Sequence, residues 1–243
     1  MQAVILAAGK GERLRPLTNT LPKAMMSVAG RPLLEHNICL LRDQGFKEFI
    51  INLHYLPEKI VDYFDSGEQF GVKIAYSDET DKLLDTAGAL KKMEPLLRDD
   101  FILIYGDHVH FFDFRPAAAF HRNKRALATI VLKRSDLPAN GEIGEIDQKS
   151  ARIISWHTRP HGITDFGGQY FLNSGLYILS REILNYIPAG RSAHLDKEIL
   201  PQLIKKDLPI FGFVTKDLIL DIGTSDKYQY ACREYQKMKS LNK

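Results

Sequence analysis

Four cations, Lys10, Arg13, Arg15 and Lys23, crowd a short stretch that also holds Gly9, Gly11, Pro16 and Pro22. Glycines let a backbone approach a ligand closely and turn its N–H groups toward it. Arginine presents a planar fork to phosphate oxygens, and lysine a point charge. Together they suit a cradle for polyphosphate. Two acids farther along, Asp107 and Asp221, each follow an apolar run. A carboxylate at a strand end beside phosphates is a hard-oxygen ligand for Mg2+, which takes one or two carboxylates with phosphate oxygens and water. The same acid equally caps a following helix or closes a turn, and residue type alone leaves both open.

These residues need a scaffold, and hydrophobic patterning predicts one. Residues 4–8 are a short apolar run that is β-branched at its start and stopped by Gly9, which predicts a buried strand. The cations then lie at its carboxyl end, where open α/β sheets place ligands. A Walker loop needs a Ser or Thr after Gly-Lys, which Gly9-Lys10-Gly11 lacks. A dinucleotide fingerprint needs a third glycine where Leu14 stands, which argues against a dinucleotide-dependent oxidoreductase. Helices are predicted over 32–44, 57–64, 85–97 and 115–123, the third opened by Asp85-Thr86 as candidate caps. Strands are predicted over 48–53, 72–76, 101–105 and 126–133. This alternation predicts a Rossmann-like α/β fold with a mostly parallel sheet. Closely spaced runs at 141–147, 151–157 and 169–179 predict a small antiparallel extension. Gly162–Gly168 reads as a loop. A helix over 194–206, strands over 210–215 and 218–220, and a helix over 225–239 complete the pattern.

Composition narrows the classes. The 243 residues, 44% of them apolar, suffice for a full core. A formal net charge of +3, from 33 cations and 30 anions, argues against a nucleic-acid surface and leaves the cationic loop as the electrostatic feature. Cys39 and Cys232 lie far apart and read as ordinary thiols. His108 and His110 flank Asp107 without a third soft ligand, so they read as loop or pocket-lining residues; His121 falls on a helix as a structural or exposed residue. The apolar start lacks a basic leader, and no run approaches the ~20 residues of a membrane span. The expectation is a cytoplasmic protein, monomer or homodimer, with no membrane or nucleic-acid partner.

The stretch from Leu6 to Thr18, LAAGKGERLRPLT, followed by Pro22-Lys23, resembles the signature of the sugar-1-phosphate nucleotidyltransferases. Glu12 stands where Thr is usual, and some uridylyl-transferring members carry Glu there. Gly106-Asp107 resembles the family's Gly-Asp, and Asp221-Ile222-Gly223-Thr224 its Asp-Ile-Gly-Thr. The resemblance implies that Asp107 and Asp221 hold a catalytic Mg2+ together. It implies that Leu6, Ala8, Gly9, Gly11, Glu12 and Arg13 line the nucleotide, with Arg13 on the β- and γ-phosphates. Lys23 would reach the reacting phosphates, so Arg13, Lys23 and Asp107 are the implied catalytic residues.

Leu84-Asp85-Thr86-Ala87-Gly88 resembles the family's Leu-Gly-Thr-Ala/Gly-Gly, which puts Thr86, Ala87 and Gly88 near the base and ribose. Asp85 replaces a glycine there. Glu79, just before it, would meet the base edge, the alternative being a solvated turn residue. Asn173 and Gly175 resemble the family's Asn-x-Gly, whose asparagine bonds sugar hydroxyls; a turn or a satisfied core amide is the alternative. Arg159 stands for the lysine that pairs with the sugar phosphate, and Thr158 replaces a glutamate that contacts sugar hydroxyls. The register of 141–144, a candidate sugar contact, is ambiguous. The substrates implied are a nucleoside triphosphate and a sugar 1-phosphate. The segment 84–90 and the pattern His121…Ala128-Thr129-Ile130 look like mannose- and heptose-1-phosphate guanylyltransferases, favouring GTP. Uridylyl or thymidylyl transfer to another hexose 1-phosphate is the alternative, and a non-catalytic sugar-nucleotide regulator another. The expectation is one domain over 1–243, without the left-handed β-helix that several relatives carry.

Overall fold

Ala3, Val4 and Ile5 are wholly buried, and the strand they form, β1 (Gln2–Leu6), is apolar at every position after Gln2, as a strand covered on both faces requires. The computed structural model that contains it describes residues 1–134, 141–163 and 170–241. It has the expected class: a mixed, mostly parallel α/β sheet flanked by helices, with small antiparallel sheets. The chain divides into two compact units. One comprises Gln2–Leu83, Ile104–Phe112 and Leu218–Lys243; the other comprises Leu84–Leu103 and Asp113–Asp217, with Met1.

In the first unit a two-stranded hairpin, β2 (Ser27–Val28) and β3 (Arg31–Pro32), follows the cationic loop and leads into α1 (Leu33–Asp43). Next come β4 (Glu48–Leu53), α2 (Pro57–Phe64) and β5 (Lys73–Asp78). Strand β1 pairs in parallel with β4, Leu6 opposite Asn52, and β4 pairs in parallel with β5. Strand β6 (Phe101–Tyr105) is divided between the units, and Gly106 just after it donates its N–H to Leu6 O at 2.9 Å. The run 72–76 predicted as a strand starts one residue later and extends to Asp78. A short strand unseen in the sequence, β7 (His108–His110), is also in this unit.

The second unit opens with α3 (Asp85–Lys92). The predicted helix ran to 97, but Pro95 has no N–H and its ring crowds the carbonyl of Lys91, so the helix ends early. Then come α4 (Phe114–Lys124), β8 (Ala128–Lys133), β9 (Ile143–Ile146), β10 (Ile153–His157) and β11 (Tyr170–Leu179). The antiparallel pairs β10–β9, β9–β11 and β11–β8 form the expected extension. The helix predicted over 194–206 is instead a π turn, Leu195–Ile199, running into α5 (Leu200–Lys205). Pro201 removes the N–H that would bond Lys197, which loosens the register there. Strand β12 (Ile210–Thr215) pairs in parallel with β8. In the expected loop over Gly162–Gly168, residues from 164 onward lie outside the described residues, as does Gln169, the first residue of the strand predicted over 169–179. The chain ends, back in the first unit, with β13 (Ile219–Asp221) and α6 (Ser225–Leu241). No helix among the described residues is long and apolar enough to cross a membrane.

Two histidines, one buried and one half-buried, are held neutral by their surroundings. His121 is 1% exposed and pairs its Nδ1 with Thr129 Oγ1 at 2.9 Å, so it is not a surface residue. His36 pairs Nε2 with Val28 O at 2.7 Å and Nδ1 with the Tyr235 hydroxyl at 2.8 Å. Burial lowers both pKa values. The unfolded chain therefore takes up protons at a higher pH than the folded one. Their contribution is fully present above about pH 6.5 and is lost as the pH falls toward the folded values. The urea midpoint should fall between pH 7.5 and pH 5.5, and the gap should narrow in His36→Gln/His121→Gln; equal midpoints for the natural chain would contradict the assignment.

Candidate active site

The cationic loop of the first unit is shaped by one residue with left-handed backbone. Gly11 has φ +64, and a Cβ there would lie 2.9 Å from Thr18 Cγ2 and 3.2 Å from Lys23 Cβ. Its carbonyl accepts from Thr18 Oγ1 at 2.8 Å and from Leu14 N at 2.9 Å, closing a turn around Glu12, Arg13 and Leu14. Leu14 is buried in a cluster with Met26, Val28, Leu33, Val109 and Ile222. Each such side chain contributes roughly 1.5–3 kcal/mol by leaving water. The cluster joins three distant segments: the loop through Leu14, β7 through Val109, and the Asp-Ile-Gly-Thr segment through Ile222.

Strands β7 and β13 pair antiparallel with His108 opposite Asp221, and Ile222 N bonds Asp107 O at 3.2 Å. This ribbon brings the two distant acids together. Lys23 Nζ lies 2.6 Å from Asp107 Oδ2 and 3.6 Å from Asp221 Oδ1. His108 Nδ1 is 2.8 Å from Asp107 Oδ1, and Lys227 Nζ is 2.8 Å from Asp221 Oδ2. Gly223 N donates to Asp221 Oδ1 at 2.6 Å. A Cβ on Gly223 would fall 2.8 Å from Asp221 Oδ1 and 3.1 Å from Arg13 Nη2, so this glycine admits the guanidinium beside the Asp221 turn.

Burial alone would raise the pKa of both acids. For Asp107 the adjacent His108 and then Lys23 outweigh it and hold the carboxyl below its usual range. For Asp221 the counterweights are His108, Lys227 and Lys23, opposed in part by Asp107. Both acids are therefore carboxylates at neutral pH. Their side chains keep 35% and 28% of their surface, enough for a ligand to reach them, whereas Lys23 keeps 9%. Two hard oxygen donors already converging on one cation are a donor set that suits Mg2+, with phosphate oxygens and water completing its shell.

Other expected residues have different surroundings. Gly9, Lys10, Glu12, Arg13 and Arg15 are exposed, while Ala8 is buried and Leu6 half-buried. His108 and His110 are not loop residues but belong to β7, and His110 is buried. Glu79 is not a solvated turn residue: at 1% exposure it accepts from Asn52 Nδ2 at 2.9 Å.

In the second unit Asp85 does not cap α3. Leu84 holds the cap position, and the Asp85 carboxylate pairs with Ser192 Oγ. Its φ of +56 keeps the backbone a glycine would have. Thr86 Oγ1 accepts from Leu195 N at 2.7 Å, and Ala87 N donates to Ala193 O at 2.8 Å. Gly88 packs closely, since a Cβ would lie 2.7 Å from Arg191 O. Asn173 bonds the Tyr177 hydroxyl at 2.6 Å and Gly175 N at 3.1 Å across a bulge in β11. Arg159 Nε lies 3.5 Å from Glu142 Oε1, whose side chain is nearly enclosed. Asp196 is a second buried acid there, its pKa raised by desolvation and by Glu142, and its carbonyl accepts from Trp156 Nε1 at 2.7 Å. Sequence reasoning did not single out Glu142 or Asp196. Glu142 fell in the stretch of ambiguous register, and Asp196 looked like any acid in a helix.

The chain belongs to the nucleotidyl transferase family, whose model matches residues 2–238. It is 34% identical to a UTP–glucose-1-phosphate uridylyltransferase from Synechocystis sp., over 96% of this chain and 63% of that protein. It is 32% identical to a mannose-1-phosphate guanyltransferase from Yarrowia lipolytica, over 92% of this chain and 61% of that protein. The chain thus spans about three fifths of the length of these curated relatives. Among solved structures it is similar to HddC from Yersinia pseudotuberculosis, with a TM-score of 0.81 and 27% identity, covering 96% of this chain and 99% of that one. HddC has also been solved with GMP-PN.

The loop geometry carries its own test. Gly11→Ala combines an unfavourable φ with contacts to Thr18 and Lys23, and should lower stability by about 1–3 kcal/mol. Urea denaturation measures this, and an unchanged midpoint would contradict the loop conformation.

Proposed function

We propose that this chain transfers a nucleotidyl group from a nucleoside triphosphate to a sugar 1-phosphate, giving a nucleotide sugar and pyrophosphate. GTP is the favoured donor and a mannose- or manno-heptose-type phosphate the favoured acceptor. The observation that carries the reading is Lys23 between Asp107 and Asp221, with Arg13 beside the Asp221 turn.

A phosphate oxygen of the sugar 1-phosphate attacks the α-phosphorus, and the bond to the β-phosphate oxygen breaks, releasing pyrophosphate. No general base is required, because a phosphate monoester is already largely dianionic at neutral pH. The difficulty is repulsion between anions and the angle of attack, which positioned charge and binding address. Arg13 meets the departing pyrophosphate, and Lys23 the crowded α-phosphate. Gly9 and Gly11 let the loop backbone approach the triphosphate, with Leu6, Ala8 and Glu12 beside it. Thr86, Ala87 and Gly88 border the base and ribose. Arg159 neutralises the sugar phosphate, and Asn173 and Gly175 serve the sugar. Glu142 and Asp196 are two further acids available to sugar hydroxyls where Thr158 replaces the usual glutamate. Asp107 and Asp221 would hold Mg2+, which when bound neutralises phosphate charge and fixes phosphate orientation. A cytoplasmic setting, with its supply of nucleoside triphosphates, goes with this chemistry.

The guanylyl reading is supported by the guanyltransferase relative and by the GMP-PN complex of HddC. Glu12 and the uridylyltransferase relative favour UTP with another hexose 1-phosphate as the second reading. Pyrophosphate release measured across nucleoside triphosphates and sugar 1-phosphates separates them. GTP with mannose 1-phosphate or manno-heptose 1-phosphate should be the best pair. Exclusive use of UTP or dTTP would overturn the donor assignment, and no release with any pair would leave a binding protein. Separately, Arg13→Ala should weaken GTP binding about tenfold or more in calorimetry while leaving the melting temperature unchanged; unaltered affinity would contradict its role.

A further inference from the structure

The buried Glu79–Asn52 pair is not explained by packing alone. Asn52 sits near the carboxyl end of β4, opposite Leu6 of β1 and Ser77 of β5. It is 3% exposed, and Glu79 is 1% exposed. Asn52 Oδ1 accepts from Ala7 N at 2.7 Å, and Asn52 Nδ2 donates to Glu79 Oε1 at 2.9 Å. Ala7 is the first residue after β1 and the first of the glycine loop. The backbone of Glu79 is itself held: its N–H donates to Leu53 O at 2.7 Å, and its carbonyl pairs with His54 Nδ1 at 2.7 Å.

The chemistry permits only one orientation of the Asn52 amide. An N–H on one side demands the oxygen, and a carboxylate on the other demands the nitrogen. Glu79 therefore fixes the flip of Asn52, and Asn52 fixes the Ala7 peptide, whose plane sets the direction in which the loop leaves the sheet. We propose that Asn52 and Glu79 are positioning residues for nucleotide binding: they act through the Ala7 peptide to preorganise the glycine loop. This rests on the reading of that loop as a triphosphate cradle. It also reassigns Glu79, expected from sequence at the base edge, to a role behind the loop.

An exchange of charge between the partners tests this. Asn52→Asp keeps an acceptor for Ala7 N but sets a second carboxylate against Glu79. Asn52→Asp/Glu79→Gln restores a donor between them, with the amide now on the other partner. Two readouts are followed on the full chain: hydrogen exchange of the Ala7 amide by NMR, and the KM for GTP and UTP alongside kcat. Asn52→Asp should speed Ala7 exchange and raise the nucleotide KM about tenfold, the loss of one well-made buried hydrogen bond, with a smaller change in kcat. The double variant should return both readouts to within about threefold of the natural chain. Should Asn52→Asp not fold, Glu79→Leu replaces it, and Glu79→Gln, which keeps an acceptor for Asn52 Nδ2, should then retain a near-natural KM. Faster Ala7 exchange with an unchanged KM would overturn the inference, since the pair would then be merely structural. Failure of the double variant to rescue would also overturn it. A natural chain that uses no nucleotide overturns the cradle reading itself, and is recognised before any variant is made.

Discussion

Two carboxylates facing each other in a partly buried site repel strongly, and they stay together only if something positive stands between them. Here that is the ammonium of Lys23, against Asp107 and within reach of Asp221. His108 and Lys227 flank the pair from the outer sides. The acids remain ionised in spite of their burial. The first unit thus carries a ready anionic pair whose charge is balanced internally, next to a loop rich in cations. Both signs of charge are what a site needs if it is to receive a polyanion and the metal that accompanies it.

Apolar packing maintains this arrangement. Leu14, Val109 and Ile222 share one cluster, so the residues beside them (Arg13, His108 and Asp221) are placed by burial rather than by their own charges. That order of cause matters, because exposed ion pairs alone contribute little and are screened by salt. The second unit carries a different chemistry. Its enclosed acids, Glu142 and Asp196, and the guanidinium of Arg159 lie just before β9, in the π turn and just after β10, an irregular setting in which side chains vary without disturbing the sheet. This is consistent with relatives of one family whose names specify different sugars and bases.

Much of this was legible in the residues. The strands at 48–53 and 101–105 and the helix at 57–64 stand where periodicity puts them, because long apolar runs with proline or glycine punctuation leave few alternatives. Asp107 and Asp221 were recognisable as strand-end acids. Their convergence was not legible from pattern alone, since the ribbon that joins them is three residues on each side and too short to show alternation. Glu79 misled for a related reason. A glutamate among Asp78, Thr80 and Asp81 looks solvated, and the hydrogen bond from Asn52, far away in sequence, that helps make its burial tolerable cannot be read from its neighbours. Asp85 was misplaced as a cap because its residue type favours one, whereas tertiary contacts hold it in a glycine-like conformation.

The central claim is that Asp107 and Asp221 act as one cation site beside the cationic loop. Its most direct test is Mn2+ binding to the purified chain, followed by electron paramagnetic resonance with a non-hydrolysable nucleoside triphosphate present. The account predicts one tightly bound ion per chain, with affinity weakened at least about tenfold by Asp107→Asn and equally by Asp221→Asn. Mn2+ affinity untouched by either substitution would contradict it.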